Sequence, residues 1–219
     1  FGVNSGPMMA AVDEFDITVK GKGGHAASPH LAIDPVVISA QVISAVQTII
    51  SRSTDPVDKA LISITKINAG TAYNVIDDQV KMGGTIRTFR RETRAYIEKR
   101  LNELCKGIAD AHGAEIKIEF DLVNKYPPTI NSKEETKFAA NVAKDLVGDD
   151  KVITDIDPSM GGEDFSYLLE KKPGSYLYLG QGDAEHSAHL HTTKYDFNDN
   201  LLPIGVNFWV DLVQKYFSK

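Results

Sequence analysis

Phe15-Asp16-Ile17-Thr18-Val19-Lys20, running directly into Gly21-Lys22-Gly23-Gly24-His25-Ala26-Ala27-Ser28-Pro29-His30, is the stretch on which the reading of this chain turns. Phe15, Ile17 and Val19 alternate with Asp16, Thr18 and Lys20, the period-2 pattern of a half-buried strand. The glycine-rich loop that follows lets backbone approach a ligand closely, and it carries one imidazole, His25. Asp34-Pro35 then opens a helix, with Asp34 as N-cap and Pro35 at the first helical position. Val36, Val37, Ile38, Val42, Ile43, Val46, Ile49 and Ile50 leave that helix little polar face, so it is expected to be well buried. A histidine held between strand and helix is either a polar group for chemistry or a loop residue that ends the strand.

Downstream, a strand is expected near Leu61–Ile67, with Ile62 and Ile64 on one face. Asn68-Ala69-Gly70-Thr71-Ala72-Tyr73-Asn74 is rich in turn formers. The next strand sets Val80, Met82 and Ile86 against Lys81, Thr85 and Arg87. A helix from about Glu92 to His112 carries the stripe Ile97, Leu101, Leu104, Cys105 and Ile108, and Gly113 stops it. In the last strand Ile116, Ile118, Phe120 and Leu122 alternate with Glu115, Lys117, Glu119 and Asp121. The order β-α-β-β-α-β is the ferredoxin-like arrangement, an antiparallel four-stranded sheet with both helices on one face. Arg87, out of phase with the apolar positions of its strand, is expected on the opposite, open face.

After Tyr126-Pro127-Pro128 the character changes. The pattern predicts a helix near Glu134–Leu146, a short strand around Val152–Thr154, a helical segment from Glu163 ended by Pro173-Gly174, and a short buried strand at Tyr176–Leu179. His186–Asn200 is polar and irregular, and an amphipathic helix runs from about Leu201 to Phe217. These elements read as part of an α/β sheet that lacks its other strands.

A net charge of −6 gives no support to a nucleic-acid role driven by phosphate contacts. Cys105, the single cysteine, rules out an internal disulfide and suits a reducing compartment, so a cytoplasmic location is expected. No apolar run is read as long enough to span a bilayer and no signal peptide is visible, so no membrane partner is expected. Phe1-Gly2-Val3-Asn4-Ser5-Gly6-Pro7-Met8-Met9, with no initiator Met, reads as the middle of a longer protein.

His186-Ser187-Ala188-His189-Leu190-His191 holds half of the six histidines. On a strand His189 and His191 would point to one side, a spacing that suits metal ligation; a polar surface loop is the plain alternative. His25 could donate to a developing oxyanion or simply terminate its strand. Arg87 with Asn74 nearby could clamp a carboxylate, although a surface arginine is the commoner case. Cys105 lies in a helix stripe and reads as a core thiol. Glu163-Asp164 suits a helix N-terminus, and a carboxylate pair after Gly161-Gly162 also fits a site. No Gly-x-Ser-x-Gly elbow and no phosphate-binding loop is present.

These segments together resemble the zinc-dependent aminoacylase/carboxypeptidase family. The similarity is nearest to its amidohydrolase subgroup, which includes hippurate hydrolase, indole-acetyl-amino-acid hydrolases and N-acetyl-diaminopimelate deacetylase. The resemblance rests on Gly6-Pro7-Met8-Met9-Ala10, Gly21-Lys22-Gly23-Gly24-His25-Ala26-Ala27 with Pro29-His30, Asp34-Pro35 and Ser51-Arg52. It continues through Gly70-Thr71-Ala72-Tyr73-Asn74-Val75-Ile76 and Gly84-Thr85-Ile86-Arg87-Thr88-Phe89. Glu163-Asp164-Phe165 and Leu190-His191 through Tyr195-Asp196-Phe197-Asn198-Asp199 complete it, in family order.

The resemblance implies an α/β metallohydrolase domain with a ferredoxin-like lid inserted in it, the lid forming a homodimer. On this chain that gives a catalytic-domain segment over residues 1–13, the lid over 14–124 and the C-terminal part of the catalytic domain over 125–219. It implies hydrolysis of the amide bond of a small-molecule N-acyl amino acid, using two divalent ions, zinc or manganese, per full-length subunit. His191 would be a metal ligand, His25 would steady the tetrahedral intermediate in the partner subunit, and Asn74 and Arg87 would hold the substrate carboxylate. His189 has no counterpart in the family pattern. The family's other metal ligands and its general-base glutamate fall before Phe1, so residues 1–219 alone are expected to be inactive. Asp77 stands where the family has proline, which is expected to loosen the loop and add a charge. A di-metal exopeptidase acting on dipeptides, and a non-catalytic dimerisation or binding module, are the alternatives.

Overall fold

The computed structural model describes residues 1–123, 125–182 and 184–218. Its elements are β1 (Gly6–Met9), β2 (Ala11–Lys20), β3 (Gly24–His25), α1 (Pro35–Thr48), β4 (Ala60–Asn68), β5 (Val75–Ile76) and β6 (Gln79–Thr88). They continue as α2 (Arg91–His112), β7 (Glu115–Phe120), β8 (Thr129–Asn131), α3 (Lys133–Val147), α4 (Phe165–Leu169) and α5 (Leu202–Phe217). The chain is mixed α/β and divides into two compact units, one of Met9–Pro128 with Met160–Asp164, the other of Phe1–Met8, Thr129–Ser159 and Phe165–Lys219.

In the first unit β2, α1, β4, β6, α2 and β7 follow one another in the β-α-β-β-α-β order. The strands lie side by side as β4-β6-β2-β7, and every pairing is antiparallel. Register explains the core. Ile17 stands opposite Met82 and Ile118, and Val19 opposite Val80 and Ile116. Those side chains pack with Ile38, Val42 and Val46 of α1 and with Ile97, Leu101 and Cys105 of α2, so both helices cover one face. The helix starts and stops have local causes. The Asp34 carboxylate accepts from the Val36 amide at 2.8 Å, capping α1. Gly113 ends α2 in the left-handed region at φ 66°.

One position on the helix-facing side of β2 is charged. Asp13 is 1% exposed and accepts Nε of Arg94 at 2.7 Å together with that residue's Nη2, while Lys125 Nζ lies 3.7 Å away. The forked donors of arginine match a carboxylate, which lets a charge sit where its strand neighbours are apolar.

Three expectations for this unit are corrected. The last strand stops at Phe120: the Asp121 amide still donates in register to the Glu14 carbonyl at 2.9 Å, but the Asp121 carboxylate then accepts from the Val123 amide at 2.7 Å, which turns the chain and leaves Leu122 79% exposed. The α1 helix is buried on one side only: Val36 and Val37 are 44% and 53% exposed, since a single sheet face covers it. Finally, α1 and the π-turn that extends it, Pro35–Ser53, are by length and composition apolar enough to cross a bilayer. Ile38, Val42, Val46 and Ile49 bury in the core of the sheet, which accounts for the apolar character of the stretch.

In the second unit Val3, Ala139, Ala140, Val142, Ala143, Val152 and Phe208 form a small core, with Phe1 stacked near Phe208. The strands expected at Val152–Thr154 and Tyr176–Leu179 form only isolated bridges. Gly2 pairs with Ile153 on one side and Tyr178 on the other, and ladders of one pair are too short to make strands. The helix expected from Glu163 starts at Phe165 and is five residues long. Phe208 is the only residue of α5 that is fully buried, and Leu202, Val206, Trp209, Val210, Val213 and Tyr216 are exposed, so α5 is apolar on its outer side too.

Candidate functional site

The loop that carries His25 is tied down by backbone. The amide of Gly21 donates to the Asp78 carbonyl at 2.9 Å, and Lys22 and Ile33 exchange two bonds of 2.9 Å. The Gly23 amide donates to the Asp78 carboxylate at 2.8 Å. A Cβ on Gly23 would lie 2.8 Å from that carboxylate oxygen and 2.8 Å from the Ile76 carbonyl, so only glycine fits. β3 then pairs with β5, Gly24 opposite Ile76 and His25 opposite Val75. One residue further, the Ala26 amide donates to the Asn74 carbonyl at 3.0 Å. The two loops are thus a single stitched pair.

His25 is exposed, but its ring is oriented. The Ala27 amide donates to Nδ1 at 3.0 Å. A nitrogen that accepts a hydrogen bond holds no proton, so in the neutral ring Nε2 is the donor. His25 and Asn74 line one open concavity of about 510 Å3, together with Gly23, Val75, Asp77 and Asp78.

Asp77 brings the expected charge, and that charge is used within the loop. Its carboxylate accepts from the Thr71 hydroxyl at 2.7 Å, closing the loop around Asn74. The constraint of a proline ring is exchanged for a hydrogen bond across the loop.

Arg87 lies on the open face of the sheet, where its Nε donates to the Thr85 hydroxyl at 3.2 Å. It lines a separate concavity of about 300 Å3 with Glu14, Asp16, Lys66, Thr85 and Asp121. His25 and Asn74 are therefore brought together, and Arg87 stands in a different hollow of the same unit.

His191 belongs to the other unit, in a segment without strand, so the strand on which His189 and His191 would share a side does not form. His191 has φ 62° and is the only non-glycine residue in the left-handed region among the described residues. Such a backbone costs of order 1–3 kcal/mol, and residues held in it cluster at functional sites. Among the described residues there is no group of three or more His, Cys, Asp or Glu that could hold a metal ion. Cys105 is a core thiol, and burial pushes it up to about 11. Glu163 is half-buried and Asp164 exposed, both just ahead of α4.

The carboxylate of Asp78 escaped the sequence reading. It falls between two strands, where periodicity is silent, and its partner amide lies 55 residues away. The available signal was chemical: a carboxylate following one short strand, and a Gly-Gly amide run preceding another.

With this geometry in hand, comparison with known proteins is direct. The pattern of peptidase family M20/M25/M40 matches residues 6–215. The chain belongs to that family. The M20 chain is 38% identical over 218 residues to hippurate hydrolase of Campylobacter jejuni, covering 100% of this chain and 56% of that protein. It is 35% identical over 211 residues to N-acetylcysteine deacetylase of Bacillus subtilis, covering 96% and 53%. Among solved structures it resembles the Bacillus subtilis YxeP protein, described as a dinuclear metal binding peptidase of the M20 family, with TM-score 0.77 and 30% identity over 96% of this chain and 51% of that one. The chain spans about half the length of the relatives it matches.

Proposed function

We propose that the whole protein is a metal-dependent amidohydrolase that cleaves the amide bond of N-acyl amino acids. The observation that carries this reading is His25: an exposed imidazole, oriented by a backbone amide so that Nε2 donates, beside Asn74 on a stitched loop pair. A fixed donor of that kind can receive the charge that grows on a carbonyl oxygen during attack, and removing such a donor typically costs about 10²–10³ in kcat. Asn74 would orient the substrate beside His25, while Arg87, in its separate hollow, is assigned to the substrate carboxylate by the family resemblance alone. Relatives named as a hippurate hydrolase and an N-acetylcysteine deacetylase support the N-acyl amino acid class.

In this reading the β-α-β-β-α-β unit is a lid inserted in the catalytic domain, and it pairs two subunits so that His25 serves the partner's site. His191, with its left-handed backbone, is the one metal ligand these residues offer for a pair of zinc or manganese ions. One imidazole cannot hold two ions, so residues 1–219 alone are inactive. The buried lone thiol suits a cytoplasmic protein.

Incubating the full-length protein with N-benzoyl and N-acetyl amino acids, with zinc or manganese added, tests the proposal. Amino acid released only in the presence of metal is expected; no release from any of them would count against it. The description of the YxeP relative as a peptidase favours a second reading, an exopeptidase on dipeptides. The same assay separates the two by the ratio of kcat/KM for acyl amino acids and dipeptides.

A further inference from the structure

We infer that Asp78 is a positioning residue for the His25–Asn74 pair, holding the His25 loop from below so that the imidazole keeps its Nε2 donor pointed outward. Asp78 takes both amides that flank Lys22: its backbone carbonyl accepts from Gly21 at 2.9 Å and its carboxylate from Gly23 at 2.8 Å. Among the described residues no other side chain hydrogen-bonds to the backbone of Gly21–Ala27, apart from the ring of His25 itself. The carboxylate is charged, so its bond to the Gly23 amide is the strong kind. From Gly23 the constraint passes through two residues. Gly24 and His25 pair with Ile76 and Val75, Ala26 donates to Asn74, and Ala27 donates to the His25 ring at 3.0 Å. β3 and β5 are only two residues each, too short to hold register unaided. The Asp78–Gly23 bond closes one end of this ladder, and the Thr71–Asp77 bond of 2.7 Å closes the loop at the other.

The inference rests on the reading of His25 as an oxyanion donor, and the experiment keeps the two apart. Three variants of the full-length protein are compared: Asp78→Ala, which loses the acceptor; Asp78→Asn, which keeps a side-chain oxygen to accept from Gly23; and His25→Ala. Asp78→Ala is expected to lower kcat about tenfold or more with KM within twofold, a smaller loss than removal of the donor itself. Asp78→Asn is expected to restore most of it. Long-range 1H–15N spectra of the histidine rings in the 219-residue chain report the tautomer directly. His25 is expected as the Nε2–H form in the unaltered chain and as a mixture in Asp78→Ala.

If His25→Ala lowers kcat but Asp78→Ala does not, or if Asp78→Ala leaves the His25 tautomer unchanged, the positioning role is wrong while the donor reading stands. If His25→Ala itself leaves kcat unchanged, the donor reading falls. Hydrogen exchange at the Gly23 amide of the unaltered chain needs no variant to fold. Slow exchange is expected, and exchange as fast as in an open loop overturns the inference.

Discussion

Replacing Asp13 by alanine tests how this fold tolerates a charge among apolar neighbours. Asp13 is 1% exposed and receives two donors from Arg94, whose side chain is 13% exposed, with Lys125 Nζ 3.7 Å away. Asp13→Ala leaves a guanidinium with little water and only the more distant Glu98 carboxylate, 3.9 Å from its Nε, which approaches the circumstance in which breaking a buried pair costs about 3–5 kcal/mol. The pair Lys106–Asp110 on the outer side of α2 supplies the control, because its side chains are 75% and 65% exposed. Asp110→Ala is expected to cost at most about 0.5 kcal/mol. At about 4 °C per kcal/mol for a unit of this size, Asp13→Ala lowers the midpoint of its thermal transition by roughly 12–20 °C. Urea and thermal unfolding followed by circular dichroism measure both variants. The double variant Asp13→Leu/Arg94→Met is expected to lose much less than the sum of the singles, since it removes the stranded charge. An Asp13→Ala loss no larger than that of Asp110→Ala would refute the reasoning.

Other outcomes follow from the same coordinates. Burial raises the Cys105 thiol from 9.0 to about 11. A pKa raised on folding gives stability that is full below pH 9 and falls away as pH rises toward 11, and the native thiol should resist a disulfide reagent at pH 8 while the urea-unfolded chain reacts at once. Gly23→Ala forces a Cβ to within 2.8 Å of the Ile76 carbonyl, so it should lower kcat of the full-length protein about tenfold or more while the thermal midpoint of the β-α-β-β-α-β unit shifts by only a few degrees. Trp209, the single tryptophan, is 61% exposed on the outer side of α5. Its emission in the isolated chain should be red-shifted and readily quenched by acrylamide, and a blue-shifted, protected signal would show that face to be covered.

What could be read from the sequence is what local chemistry determines. The alternation of Phe15, Ile17 and Val19, the Asp34-Pro35 start and the Gly113 stop each act within a few residues, and each appears where the pattern places it. The segments at 152–154 and 176–179 read as strands from their apolar content but, among the described residues, make just isolated bridges to Gly2, and pairing is not a local property. Leu122 continues an alternation that the turn closed by the Asp121 carboxylate and the Val123 amide cuts off. At the site, His25 and Asn74 stood out as residue types in a glycine-rich setting. Their coupling through Asp78, Gly23 and the Ala27 amide depends on loops far apart in the chain. The left-handed backbone of His191 gave no sign, because the sequence around it carries no pattern that fixes one residue's φ.

The account's central claim is that His25 donates to the reacting carbonyl of an N-acyl amino acid. The most direct test is kcat of the full-length protein and its His25→Ala variant on one N-acyl amino acid that the protein cleaves, at matched and measured metal content. The account predicts a fall of about 10²–10³ in kcat with the metal content unchanged. Equal kcat values for the two proteins, both loaded with metal, would contradict it.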